Sequence, residues 1–317
     1  MSIQSQKCFL SVIVPVYNEE DSISPFLNRT LPVISEITSR YEIIFCLDPS
    51  LDKTEENIKA YCTKNSGIKL IKFSRRFGQP AATMAGLMIA KGVRCVVIDV
   101  DLQDPPELIR SMYHKMDEGF DVVYAKRRNR NGEKFIKKVF TRIGYKVINK
   151  LSEVQIPRDT GDFRMVSRRV VEELRGLNES HGFLRGLVAY IGFNQTHILY
   201  DRDKRFLGKS NYNQFFGSIR IGMNGLIGFS SKPLNLMSAT GAVFAVFSFC
   251  LGIWYFVQYL LGVQLTSGLT TTVIIVTFFS GIQLLSLGLL GEYISRIYDE
   301  VKRRPMYIVD AVTNFDE

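Results

Sequence analysis

The sequence predicts an α/β fold, a mostly parallel sheet with crossover helices, followed by interface helices and a two-helix transmembrane hairpin. Three observations predict it. Apolar runs of strand length alternate with helix-like segments as far as Ala125. Two carboxylates, Asp99 and Asp101, follow the apolar run Cys95–Ile98, where such a strand should end. No charged residue occurs from Pro233 to Gly291.

The first run, Phe9–Val16, is too short for a secretory signal and leads into Tyr17, Asn18, Glu19 and Glu20, so it reads as a strand. Further strands are expected at Tyr41–Leu47, Ile68–Phe73, Arg94–Asp99 and Asp121–Ala125. Helices are expected between them, at Asp21–Arg40, Lys53–Lys64, Gln79–Lys91 and Pro105–Glu118. Asp21 or Ser22 suits the cap of the first helix. Pro105 and Pro106 suit the start of the last, where a missing N–H costs nothing.

Beyond Ala125 the chain becomes basic, with Lys126, Arg127, Arg128, Arg130, Lys134, Lys137 and Lys138. The stretch Pro157–Arg164 is dense in charge and turn residues, and Arg202–Tyr212 repeats that character. Tyr212–Phe229 carries only Arg220 as a charge and reads as helix lying along a membrane interface, with a core helix as the alternative. The uncharged run is too long for one span, because about 20 helical residues cross a bilayer core. Two spans fit, Leu234–Leu260 and Leu269–Tyr293, joined by a polar but uncharged turn, Gly262–Gly268. Cations precede the pair (Arg220, Lys232) and follow it (Arg296, Lys302, Arg303, Arg304), which puts both chain ends in the cytoplasm.

The chain has 317 residues, 46% of them hydrophobic and 22% charged, with a net charge of +9. That charge suits polyphosphate ligands or an anionic membrane surface. No nucleic-acid reading motif accompanies it. The five cysteines are scattered, which fits a reducing compartment and neither a disulfide framework nor a metal-ligand spacing. Neither a Gly-x-Gly-x-x-Gly nor a P-loop motif is present, so dinucleotide oxidoreductase and P-loop nucleotidase chemistry lack support.

Three strand ends should share the carboxyl edge of the sheet, where open α/β sheets bind ligands. They are Pro15-Val16-Tyr17-Asn18-Glu19, Leu47-Asp48-Pro49-Ser50, and Asp99-Val100-Asp101. Asp99, Asp101 and the amide oxygen of Gln103 are hard oxygen ligands suited to Mg2+ or Mn2+, which would hold a substrate diphosphate. A solvated Asp-rich turn is the alternative reading.

Three segments then carry a resemblance: Val12–Glu20, the Asp-x-Asp-Leu-Gln-Asp-Pro-Pro-Glu run, and Gly161-Asp162-Phe163-Arg164. Together they resemble the inverting glycosyltransferases of family 2, with a Rossmann-like GT-A fold. The carboxyl-terminal Gly288–Tyr298 narrows this to the two-span polyprenyl-phosphate glycosyltransferases, such as bactoprenol glucosyltransferases and dolichol-phosphate mannose synthases. The resemblance implies a catalytic domain over 1–210, interface helices over 211–232, two spans over 233–294 and a cytoplasmic tail over 295–317. It implies that Pro15, Tyr17, Glu19, Asp48 and Asp99 bind the nucleotide, that Asp99, Asp101 and Gln103 hold the metal, and that Asp162 is the active-site carboxylate, with Asp101 and Arg205 also catalytic. Arg205, Lys209 and Ser210 match an acceptor-phosphate loop, and Arg127 would assist. The basic segment 126–130 is equally a solvated face or a contact with anionic lipids. Leu47 and Pro49 depart from the family's Asp-Asp-Gly-Ser pattern.

The implied reaction is transfer of a sugar, glucose from UDP-glucose, to polyprenyl phosphate at the bacterial inner membrane. N-acetylglucosamine, mannose and aminoarabinose are the alternatives. A processive synthase of the same family would need a Gln-x-x-Arg-Trp motif, and the only tryptophan here is Trp254, inside a span. A membrane scaffold with a degenerate transferase domain is the non-enzymatic alternative. Two spans leave a small membrane footprint, so self-association is expected. His181, His197 and Glu292 are read as structural, Glu292 pairing with Arg296.

Overall fold

The computed structural model describes residues 9–128, 160–177, 179, 183–202, 227–261 and 268–315. Strands β1 (Leu10–Val16), β2 (Tyr41–Leu47), β3 (Ile68–Phe73) and β4 (Arg94–Val97) alternate with helices α1 (Ile23–Ile37), α2 (Thr54–Cys62) and α3 (Gln79–Ile89). Next come α4 (Leu108–Asp117), β5 (Val122–Arg127), β6 (Thr160–Ser167), α5 (Arg168–Gly176), α6 (Leu184–Ile191) and β7 (Gln195–Tyr200). Two long helices, α7 (Lys232–Leu260) and α8 (Leu269–Lys302), and a last strand, β8 (Val309–Thr313), complete the order.

All eight strands form one sheet in the order β7-β5-β6-β4-β1-β2-β3-β8. It is parallel except for β6, which runs antiparallel to both β4 and β5, and β8, antiparallel to β3. Every residue of β1 is buried, as expected of a central parallel strand covered on both faces. One face is closed by α1, α2 and α4 through Phe26, Ile58 and Met112. The other is closed by α3, α5 and α6 through Leu87, Val171 and Leu187. Gly86 lets α3 press against the sheet: a Cβ there would meet the Cys46 sulfur at 2.8 Å and crowd Ile13.

Two expectations are corrected. Gly161–Arg164, read as turn-rich, is the start of β6. Its Phe163 and Met165 face the core while Asp162 and Arg164 take the alternate face, so the charge density reflects a strand ending at a site. The 295–317 tail is not separate from the catalytic domain, because β8 pairs with β3 from Leu70↔Thr313 to Phe73↔Val309. Its neighbours Met306, Tyr307 and Phe315 pack on the core. Smaller shifts follow local chemistry. Helix α4 starts at Leu108, after both prolines. Ser22 occupies the cap position of α1, but its hydroxyl donates to Glu19 Oε2 at 2.6 Å instead of capping.

Helices α7 and α8 contain segments, Lys232–Gln258 and Thr272–Lys302, long and apolar enough to cross a membrane, and neither is buried in protein. They touch through the rings of Phe244 and Phe279, 5.2 Å apart. At their foot Tyr293 donates to the Ser230 carbonyl at 2.7 Å, and Arg296 lies 3.8 Å from Glu292. The basic residues from Arg130 to Lys138, His181, Arg205, Lys209, Ser210, most of the interface segment and the 262–267 turn lie outside the described residues.

Candidate active site

The order β4-β1-β2-β3 reverses direction between β1 and β4. Their pairing ends at Ile13↔Val97, so the chain opens there into a crevice, the place where such sheets bind ligands. Tyr17, Asn18 and Glu19 stand on one side and Asp99 and Asp101 on the other. The β1 side is stitched to the β2–α2 loop. The Asn18 amide donates to Ser50 Oγ (3.0 Å), Asn18 Oδ1 accepts from the Leu51 amide (3.0 Å), and the Glu19 amide donates to Thr54 Oγ1 (2.9 Å). Asn18 has φ 52, a left-handed conformation that Asn tolerates.

Pro15 is buried inside β1 opposite Cys46 and follows the last pair with β4, in the stretch that leads into Tyr17. Asp48, only 3% exposed, accepts from the backbone amides of Phe77 and Gly78, both at 2.9 Å. Its first task is therefore to hold the β3–α3 loop. That loop sets the Arg76 guanidinium 3.9 Å over the Tyr17 ring.

On the β4 side, Leu102 has φ 57 between Asp101 and Gln103. A left-handed leucine is strained, and burial of its side chain to 5% exposure holds it in place. The Gln103 amide donates to Asp101 Oδ1 at 3.1 Å, closing the turn. Gln79 Nε2, at the start of α3, donates to Asp99 Oδ1 at 2.7 Å. Burial, followed by the nearby charges of Asp104, Asp162 and Asp101, pushes the Asp99 carboxyl up to about 8, against a smaller opposing pull from Arg202.

The antiparallel β6 brings Asp162 to the same edge by its amino end. Burial works against its charge, but Arg185, which donates to Asp162 Oδ1 at 2.8 Å, then Arg164 and Arg127, hold the carboxyl below its usual range. Arg164, 4% exposed, donates to the Gly161 carbonyl at 3.0 Å, and its Nε is buried without a partner. Beside this lies a group that sequence reasoning missed. Asp104, 2% exposed, accepts a short hydrogen bond from the Tyr200 hydroxyl and lies 3.5 Å from Arg202, while Arg127 donates to that hydroxyl at 3.3 Å. Arg127 was anticipated. Asp104 was inside the quoted run without a role, and Arg185, Tyr200 and Arg202 carry no local signal. His197 stacks on Tyr124, with ring centroids 5.7 Å apart.

Among the described residues, no three His, Cys, Asp or Glu side chains form a ready-made metal cluster. Two carboxylates in an edge crowded with negative charge fit instead a divalent ion completed by substrate phosphates.

Residues 11–175 match the sequence profile of glycosyl transferase family 2. The chain belongs to that family. It is 42% identical to the uncharacterized glycosyltransferase YkcC of Bacillus subtilis, over 94% of this chain and 92% of that one. It is 36% identical to the bactoprenol glucosyl transferase of Shigella phage SfII, over 95% of this chain and 97% of that one. A solved structure of glucosyl-3-phosphoglycerate synthase from Mycobacterium tuberculosis, in complex with Mn2+, UDP and glucosyl-3-phosphoglycerate, superposes with a TM-score of 0.51 at 18% identity. That match covers 69% of this chain and 79% of the synthase, and it shows the shared GT-A fold. The protein is a family 2 glycosyltransferase.

Proposed function

We propose that this glycosyltransferase moves glucose from UDP-glucose to polyprenyl phosphate, with inversion, at the cytoplasmic face of a bacterial inner membrane. One observation carries the reading. The crevice carboxylates, the ionised Asp162 and the cations Arg127 and Arg202 converge on one sheet edge, and Asp162 is tied to the helix on which the foot of an apolar hairpin rests. The near full-length likeness to bactoprenol glucosyl transferases supports it.

Tyr17, Glu19, Asp48 and Asp99 bound the nucleotide half. Asp99, Asp101 and Gln103 are the residues that would hold Mg2+ or Mn2+. When bound, that ion neutralises charge developing on the departing diphosphate. The acceptor is a phosphate monoester, largely anionic near neutral pH, so it needs little deprotonation. Its oxygen attacks the anomeric carbon from the face opposite the diphosphate. A carbon–oxygen bond forms, the bond to UDP breaks, and the electron pair leaves with UDP. Asp162 orients the acceptor and takes any residual proton. Arg127, Arg205, Lys209 and Ser210 hold its phosphate, for which a guanidinium fork is well shaped.

The return of β8 to the sheet supports an even number of crossings, since both ends of the hairpin then belong to the same domain. The two spans fall within 233–294, and lateral self-association is part of the reading. Incubating membranes with labelled UDP-glucose and undecaprenyl phosphate should give organic-extractable label. Label in polymer would indicate a processive synthase, and label from another nucleotide sugar alone would replace glucose. No transfer from any donor in a panel would overturn the reading.

A further inference from the structure

We propose that Arg185 is the positioning residue for Asp162 and that the foot of the membrane hairpin holds it there through Phe229. Arg185 is the second residue of α6, and its Nε reaches Asp162 Oδ1 at 2.8 Å. The next residue, Gly186, is buried and has no side chain for a reason visible in the packing: a Cβ there would lie 2.6 Å from Phe229 Cζ. The Phe229 ring therefore rests on the helix backbone directly beside Arg185, and it also meets the Phe183 ring at 6.2 Å.

Phe229 in turn immediately precedes the hairpin. Ser230, 7% exposed, gives its carbonyl to Tyr293 of α8 at 2.7 Å. Arg296 of the same helix has its Nη1 3.3 Å from where a Cβ on Gly228 would stand. The path from α8 to Asp162 is thus a series of direct contacts: Tyr293 to Ser230, its neighbour Phe229 to Gly186, and Arg185 to the carboxylate. A family 2 domain without a hairpin would have to hold this helix otherwise. In this chain the element that locates the lipid also braces the carboxylate that meets the lipid's phosphate, so a catalytic geometry is set by docking of the hairpin.

The inference rests on the proposed reaction, and wild-type product formation is the control that separates the two. Arg185→Gln should lower kcat about ten- to a hundredfold, as expected for a lost charge-assisted contact. KM for UDP-glucose should stay within about twofold, since the nucleotide side of the crevice is untouched. Removing an adjacent positive charge raises a carboxylate pKa, so the acid limb of the kcat–pH profile should move up. Arg185→Lys should restore part of both. Phe229→Ala should move the acid limb the same way by less, and Phe229→Leu less again. If Arg185→Gln does not fold, as judged by loss of UDP binding, the lysine and Phe229 variants carry the test. An unmoved acid limb in these variants, or a loss borne by the donor KM, would overturn the inference while wild-type turnover stands. A shift in the Arg185 variants with none in the Phe229 variants would overturn the role of the hairpin. Absence of wild-type product would overturn the proposed reaction instead.

Discussion

At the amino edge of the sheet, Glu42 is 2% exposed and fully provided for. It accepts from Ser11 Oγ at 2.5 Å, from Lys69 Nζ at 2.7 Å and from the Lys91 amide at 2.6 Å. At the carboxyl edge, Asp99, Asp101, Asp104 and Asp162 crowd together, and Asp99 is left with its carboxyl raised to about 8. Both edges of the one sheet carry buried or half-buried carboxylates. The first has a cation and donors for its charge; at the second, burial and three neighbouring carboxylates outweigh the pull of Arg202 on Asp99. A folded protein keeps the first arrangement for stability, because a paired buried charge costs little once satisfied. It keeps the second only where a ligand supplies the missing positive charge, so the imbalance marks the site.

The largest effect should come from emptying the carboxyl edge of one ligand. Asp101→Asn should reduce sugar transfer on the order of a thousandfold, comparable with removing a principal electrostatic contact to developing charge. Asp99→Asn should lose less. Both should remain folded under assay conditions. Full turnover by either variant in Mg2+, or full wild-type turnover in excess chelator, would break the assignment of this edge to a metal–diphosphate.

The opposite result is expected at the amino edge. Glu42→Ala leaves Lys69, whose side chain is 11% exposed, without its partner. Removing one member of a buried pair costs about 3–5 kcal/mol. Denaturant unfolding should show that loss, while kcat per folded molecule stays near wild type. An inactive but stable Glu42→Ala protein would mean the two edges are not separate in function.

A third substitution tests the proposed acceptor contact. Arg205→Ala should cut kcat/KM for polyprenyl phosphate about ten- to a hundredfold, from loss of a contact worth about 1.5–3 kcal/mol, with nucleotide-sugar affinity nearly unchanged. Arg205→Lys should restore part of it. Loss of UDP binding with intact acceptor kinetics would move Arg205 to the donor diphosphate and leave Arg127 as the acceptor's cation.

The same contrast explains what was legible in the sequence. The parallel strands announced themselves because burial on both faces demands unbroken apolar runs, as in β1 and β2. The donor half of the site was legible because its residues follow those runs directly. Strand β6 was hidden because two residues of its alternate face, Asp162 and Arg164, are charged and interrupt the apolar run. Strand β8 was hidden because it is a short edge strand, largely exposed, whose partner β3 lies far away in the chain. The Arg185–Asp162 and Asp104–Tyr200–Arg202 contacts join a helix, strands and loops that lie far apart in the chain and are brought together by the sheet order β7-β5-β6-β4. No local spacing encodes such contacts.

The smallest expected effect is the most direct measure of the imbalance. In the absence of metal, Asp99→Asn should not destabilise the fold, because Gln79 Nε2 can donate to an asparagine oxygen as it does to the aspartate. The variant also removes one of four neighbouring carboxylates. The pH dependence has a definite sign. A carboxyl whose folded pKa is raised favours the folded state while protonated, and that contribution is lost as pH rises from its ordinary range through the folded value near 8. Wild type in chelator should therefore lose stability between pH 6 and pH 8 relative to Asp99→Asn. The advantage of the variant should widen over that interval by at most about 2 kcal/mol, or roughly 4–8 °C in Tm for a domain of this size. Thermal unfolding at the two pH values, with and without Mn2+, measures it. The ion should raise the wild-type Tm more than that of the variant. A variant less stable than wild type in chelator at pH 8 would show that Asp99 is satisfied within the fold, as Glu42 is, and the contrast between the edges would fail.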